Sequence, residues 1–167
     1  MREIKSNIIL LIERGRTLTT VYIDADGCPV IPLAIDVANQ FGFKVILVCD
    51  TSHHFEKQGA KTITLSQGPD AVDFYIVNHV NKDDIVITQD YGLAAMVLAR
   101  EAYAINQNGV LYTNENISGL LEMRHLSQKI RRSGRHLKGP RKRKEDQNRI
   151  FYQRFMELCR EVKSKSK

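Results

Sequence analysis

Three apolar runs of strand length in this chain each stop on an aspartate. "TVYID" ends at Asp24, "FKVILVCD" at Asp50 and "DIVITQD" at Asp90. Between them lie segments with helical spacing, such as Leu33, Ala34, Val37, Ala38 and Phe41. Continuous apolar strands suit a parallel sheet covered on both faces. Strands that alternate with helices predict an α/β fold, a three-layer αβα sandwich around a mainly parallel sheet. In such sheets the ligand crevice lies outside the carboxyl ends of the strands. Asp24, Asp26, Asp50 and Asp90 are placed there. An acid at the end of a buried strand is costly unless it faces a cleft, water or a cation.

The remaining elements follow from local signals. Strand one is expected at Thr20–Ile23, with Pro29 in the first turn of the next helix and Gly42 as its stop. "KTITL", 61–65, reads as a weaker strand. Residues 66–80 read as a turn into a helix, with Pro69 near its first position. "YGLAAMVLARE", 91–101, reads as a helix and "AYAIN" as a short strand. Asn108-Gly109 predicts a tight turn into "VLYT". Residues 115–134 read as a helix, 135–144 as a charged linker, and about 145–163 as a last helix. That helix carries Ile150, Phe151, Phe155, Leu158, Cys159 and Val162 along one stripe. The expected organisation is an N-terminal helical extension over 1–18, an α/β domain over 19–134, and a basic linker with a docked C-terminal helix over 135–167.

The N-terminus is not read as a targeting signal. Arg2 and Lys5 precede Ile8–Ile12, a run shorter than a signal-peptide core, and Glu13-Arg14 end it. No stretch is long enough to span a membrane. The three cysteines, Cys28, Cys49 and Cys159, form neither a CxxC pair nor a zinc spacing. Free thiols in a reducing cytoplasm are the expectation. Cys28 precedes a helix start, which would favour its thiolate, but packing is the plainer role.

The carboxylates carry the chemistry. Asp24 and Asp90 end strongly apolar strands. Asp26 shares a side with Asp24 if the chain stays extended. Asp70 and Asp73 stand three apart at a helix start and share a face, although a helix N-terminus also tolerates carboxylates for purely structural reasons. Asp26-Gly27 is also ordinary turn chemistry. Several carboxylates in one cleft repel each other, and a hard divalent cation removes that repulsion. Mg²⁺ or Mn²⁺ prefers oxygen ligands and keeps several waters and substrate phosphate oxygens. Such a site can polarise a phosphate and activate water for in-line attack. Thr88 and Gln89 are placed to orient substrate or water beside Asp90. Asp50, Asp83 and Asp84 are read as surface acids, and His53-His54 as solvated loop residues.

"YIDADGCPV", "QGPDAVDFYIVNHV", "DIVITQDYGLAA", "YTNENI" and "RHLSQKIRRSG" together resemble the bacterial YaiI/YqxD family of uncharacterised proteins (DUF188, UPF0178), from about Val21 to the final helix. That family is similar to PIN-like domains, largely metal-dependent nucleases. The resemblance implies Asp24 and Asp90 as catalytic, metal-holding acids, with Asp73 in the place of the middle acid and Asp26 assisting. The fourth acidic position has no clear counterpart; Glu115 or Asn116 is the nearest offer. The expected activity is metal-dependent phosphodiester hydrolysis in RNA or structured nucleic acid.

Charge is split along the chain. Residues 124–167 hold 16 Lys+Arg against 4 Asp+Glu, while residues 1–123 carry a net −6. An acidic body with a basic C-terminal region suits a cation in one place and phosphates in another. Arg124, Lys129, Arg131, Arg132, Lys138, Arg141 and Arg143 are the candidate strand-binding residues, with nucleic acid, RNA first, as the partner. Two other readings stand beside the nuclease. One is a non-catalytic RNA-binding or ribosome-associated module with a degenerate site. The other is a HAD-like phosphatase, because "YIDADG" matches the start of that DxDG motif, with Asp24 as nucleophile. That motif continues with Thr or Val where Cys28 stands, and its later acidic pair should follow a strand, whereas Asp83-Asp84 precede one.

Overall fold

The computed structural model describes residues 18–51, 56–66, 68, 70–133 and 142–166. The expected N-terminal extension, His53-His54, Pro69, Lys138, Arg141 and most of the linker lie outside the described residues. The elements run β1 (Thr20–Asp24), α1 (Ile31–Gln40), β2 (Lys44–Asp50), β3 (Lys61–Leu65), α2 (Ala71–His79), β4 (Ile85–Ile87), α3 (Tyr91–Ala99), β5 (Tyr103–Ile105), β6 (Leu111–Tyr112), α4 (Ile117–Arg132) and α5 (Glu145–Lys165). The fold is α/β, with a six-stranded sheet in the order β3-β2-β1-β4-β5-β6. All neighbours pair parallel except β5 and β6.

The strands are apolar on both sides because both sides are covered. Val21 and Ile23 of β1 join one core with α1 and with Phe151, Phe155, Leu158, Cys159 and Val162 of α5. Tyr22 of the same strand points the other way, into a core with Ile76 of α2 and Leu93, Ala94 and Val97 of α3. This is the three-layer sandwich that continuous apolar runs require.

Several elements depart from their expected form. Helix α1 starts at Ile31 with Pro32 in its first turn, and Pro29 belongs to the preceding turn. Strand β4 is only three residues long, because the acids at both ends of its apolar run are used otherwise. Asp84 is not a surface acid. It is 4% exposed, and its carboxylate accepts from the backbone N–H of Thr20 (2.8 Å) and of Asn81 (2.8 Å). It thereby ties the start of β1 to the entry of β4. Asp90 caps a helix. Ile150 leaves the buried stripe of α5 and is 45% exposed.

Chain order explains where a site can form. The sheet grows outward from β1 through β2 to β3, then returns so that β4 lies on the other side of β1. The order reverses between β1 and β4, and connections leaving these two strands diverge there. Asp24 ends β1, and Thr88 follows β4 directly.

Candidate active site

The crevice between β1 and β4 is bridged by one side-chain hydrogen bond. Thr88, 2% exposed, donates from Oγ1 to Asp24 Oδ2 at 2.8 Å. The same hydroxyl accepts from the Asp90 N–H at 3.0 Å, so its single proton is directed at Asp24. The Thr88 carbonyl in turn accepts from the Tyr112 hydroxyl (3.3 Å). A buried threonine with all of these partners fixed leaves Asp24 a defined orientation.

Asp90 is held from two sides. Its Oδ1 accepts from the N–H groups of Gly92 (2.7 Å) and Leu93 (3.0 Å), capping α3. Its Oδ2 accepts from Arg124 Nη1 of α4 at 3.0 Å. Arg124 thus reaches back from α4 into the acidic site, while Lys129, Arg131 and Arg132 stand exposed on the last turn of that helix.

Asp73 sits in the first turn of α2, which starts from Asp70 in a left-handed backbone conformation (φ 61°). Burial, then the nearby charges of Asp90, Asp24 and Asp70, push the Asp73 carboxyl up to about 6; Arg124 works against the rise. Asp24 is also pushed up to about 6, by burial first and by Asp26 and Asp90 further, with the Thr88 hydrogen bond pulling it down. Three acidic side chains therefore feel one another at this crevice. Asp70 itself is exposed.

Asp26 follows Asp24 through the extended Ala25, whose N–H bonds to the Val48 carbonyl (2.9 Å). Its Oδ2 accepts from the Asp50 N–H at 3.0 Å. Gly27 then turns the chain with φ 71°, a conformation that a side chain would disfavour. Asp24, Asp26, Cys28, Thr88, Gln89 and Gln107 line a pocket of about 20 Å³, room for roughly one water. Gln89 spans its mouth by donating to the Gly27 carbonyl at 3.3 Å. Burial pushes the Cys28 thiol up to about 11, so this cysteine is a packing group and not a thiolate.

Asn116 does not enter the site. Its side chain accepts from the Thr113 N–H (2.9 Å) and donates to the Leu111 carbonyl (2.9 Å), bracing the turn into α4. Arg143 is half-buried and tied to the neighbouring loop. Its guanidinium donates to Asn148 Oδ1, Asn108 Oδ1 and the Gln107 carbonyl, at 2.7, 3.0 and 2.6 Å.

Gln107 is the lining residue that sequence reasoning misses. Its Oε1 is buried and accepts no hydrogen bond from the described residues. A signal for it exists, because Gln107 lies just past the carboxyl end of β5 in the turn that Asn108-Gly109 predicts. Among the described residues no three His, Cys, Asp or Glu side chains gather closely enough to hold a metal ion by themselves. The donors around the pocket are carboxylate, hydroxyl and amide oxygens. That set suits a hard divalent cation which keeps much of its water shell, and not an all-protein cage.

Comparison with known proteins places the chain among uncharacterised relatives. The family profile described as "Uncharacterized BCR, YaiI/YqxD family" matches residues 22–161. A "UPF0178 protein" of Exiguobacterium sibiricum is 55% identical over 141 residues, 84% of this chain and 96% of its own length. A second, of Natranaerobius thermophilus, is 45% identical over 143 residues, 85% of this chain and 94% of its own. No solved structure matches the chain significantly. With the profile spanning nearly every described element, this chain belongs to the YaiI/YqxD family.

Proposed function

We propose that this chain is a metal-dependent nuclease of PIN-like type that hydrolyses phosphodiester bonds in RNA or structured nucleic acid. One observation carries the reading. At the reversal point of the sheet, Asp24 and Asp73 are both pushed up to about 6, by burial first and then by neighbouring acids, Asp26 and Asp90 for Asp24 and Asp90, Asp24 and Asp70 for Asp73. Such crowding is what a site prepared for a cation and a phosphate requires.

Asp24, Asp73 and Asp90, with Asp26 assisting, would hold a hydrated Mg²⁺ or Mn²⁺ partly through its waters, since no three described side chains of that kind stand close enough to bind it directly. When bound, such a cation offsets their charge, polarises the phosphate and makes a water more acidic. The chain's own groups supply the rest. Thr88 fixes Asp24. The cap of α3 fixes Asp90. Arg124, paired with Asp90, would bring a positive charge beside a phosphate held at these acids. Asp73, whose side chain accepts no hydrogen bond from the described residues, is free to take the proton of the attacking water. An acid near 6 is ionised at neutral pH and still basic enough for that transfer.

The test is cleavage of labelled RNA and DNA, single-stranded, duplex and flapped, in Mn²⁺, Mg²⁺ and EDTA. Wild type should cut in either cation, and Asp24→Asn/Asp90→Asn should not. Equal cleavage by the double variant would assign the activity to a contaminant or another site.

A non-catalytic nucleic-acid-binding module is the second reading, favoured by Asp90 having both oxygens engaged by Gly92, Leu93 and Arg124. It expects salt-sensitive binding that survives the double substitution and no cleavage in any cation. A phospho-aspartate trapped on Asp24 would instead support the phosphatase chemistry.

A further inference from the structure

The acidic pocket does not end at Gln107. A groove of about 440 Å³ begins there, lined by Gly27, Gln89, Gln107, Asn108, Lys142 and Lys144 among others. Gln89 and Gln107 line both spaces. The two spaces therefore adjoin across Gln89 and Gln107, one acidic and the other rimmed by basic side chains.

The outer wall is built, not incidental. Arg143 spends its guanidinium on Asn148, Asn108 and the Gln107 carbonyl, which fastens the lead-in to α5 onto the β5–β6 loop. With Arg143 pinned, Lys142 and Lys144 flank it at the rim. Both are exposed, and neither pairs with a carboxylate among the described residues. Two exposed ammonium groups beside an anionic pocket suit a ligand carrying repeated negative charge. Among the described residues no aromatic side chain lines the groove, which argues against base stacking as its means of recognition. Amides and ammonium groups match a sugar–phosphate backbone.

We propose that this groove is the strand-holding subsite, taking the phosphate next along the strand from the one held at the mouth of the acidic pocket. The ligand class is a single polynucleotide strand, RNA or DNA, and a mononucleotide is too short to use both ends. The assignment rests on the nuclease reading for the identity of the inner end, but binding at the outer end is measurable without cleavage.

The experiment is fluorescence anisotropy of labelled RNA and DNA oligomers of the same sequence, in EDTA, across a salt series. Lys142→Ala/Lys144→Ala should weaken both strands about tenfold and lower the slope of log affinity against log salt by about 1.4, about 0.7 for each lost phosphate contact. Lys142→Arg/Lys144→Arg should restore most of the binding. Lys129→Ala/Arg131→Ala/Arg132→Ala, at the end of α4, should lose less. Loss confined to RNA would still support the subsite and add a contact to the ribose hydroxyl. Unchanged binding by the Lys142/Lys144 alanine variant would overturn it, as would polyglutamate competing as well as oligonucleotide. Absence of cleavage in the preceding test, with this binding result intact, would remove the nuclease reading alone.

Discussion

Replacing Asp24 by Asn should stabilise the protein as it removes activity. The Asp24 carboxyl is raised from 3.8 to about 6 in the folded chain. A group whose folded pKa lies above its unfolded one contributes most below the unfolded value, and that contribution is lost as pH rises through the folded value. A rise of this size corresponds to about 3 kcal/mol. The hydrogen bond from Thr88 is already included, since it lowers the same carboxyl. Asparagine keeps an acceptor for that hydroxyl and does not titrate. The stability of the variant relative to wild type should therefore grow by about 2–3 kcal/mol between about pH 4 and pH 8. For a chain of 167 residues this is about 5–10 °C in Tm. Urea unfolding of both proteins in EDTA at each pH measures it, with circular dichroism as the probe. A difference that stays constant across pH would refute the reasoning, because the strain would then not be electrostatic. So would a variant that loses ground as pH rises.

Three further outcomes are expected. A hundredfold excess of Mn²⁺ over its Kd should stabilise wild type by about 2.7 kcal/mol and leave Asp24→Asn/Asp73→Asn unmoved; an equal shift in both would place the cation elsewhere. Asp84→Ala should cost about 2–4 kcal/mol, since the N–H groups of Thr20 and Asn81 lose their shared acceptor, and a change below about 0.5 kcal/mol by denaturant titration would show that water replaces it readily. Cys28 should resist a thiol reagent at neutral pH, because a thiol near 11 leaves fewer than about one molecule in a thousand as thiolate; rapid labelling of Cys28 in the folded protein would contradict the burial that sets this value.

What is legible in the sequence is local. The strands at Thr20, Lys44 and Lys61 announce themselves by apolar runs, and α1, α4 and α5 by a one-sided apolar stripe, while α2 and α3 show no such stripe. Asp24, Thr88 and Asp90 can be singled out because each lies where an apolar run stops. Asp73 comes from the family likeness, since a carboxylate in a first helical turn has an ordinary structural role. Partners far along the chain are not legible. Asp84 lies beside Asp83 and looks solvated, but its acceptor role depends on Thr20, 64 residues away. Gln107 depends on Arg143, 36 residues away. Ile150 fits the helical stripe of α5, but its neighbours there are Val110 and Leu111 of the short last strand and its lead-in, which do not cover it.

Helix α5 has a consequence for how the chain is made. It is the last of the described elements, yet five of its side chains complete the core on one face of the sheet. Until it emerges, Val37, Val45 and Leu47 on that face lack its cover. A nascent chain halted before Phe151 would present a wide apolar surface and invite aggregation or chaperone capture. The lead-in to the same helix carries the lysines at the groove mouth. Lys142 and Lys144 come before Phe151 in the chain, so the rim of the groove is synthesised before the core that anchors the helix behind it is complete.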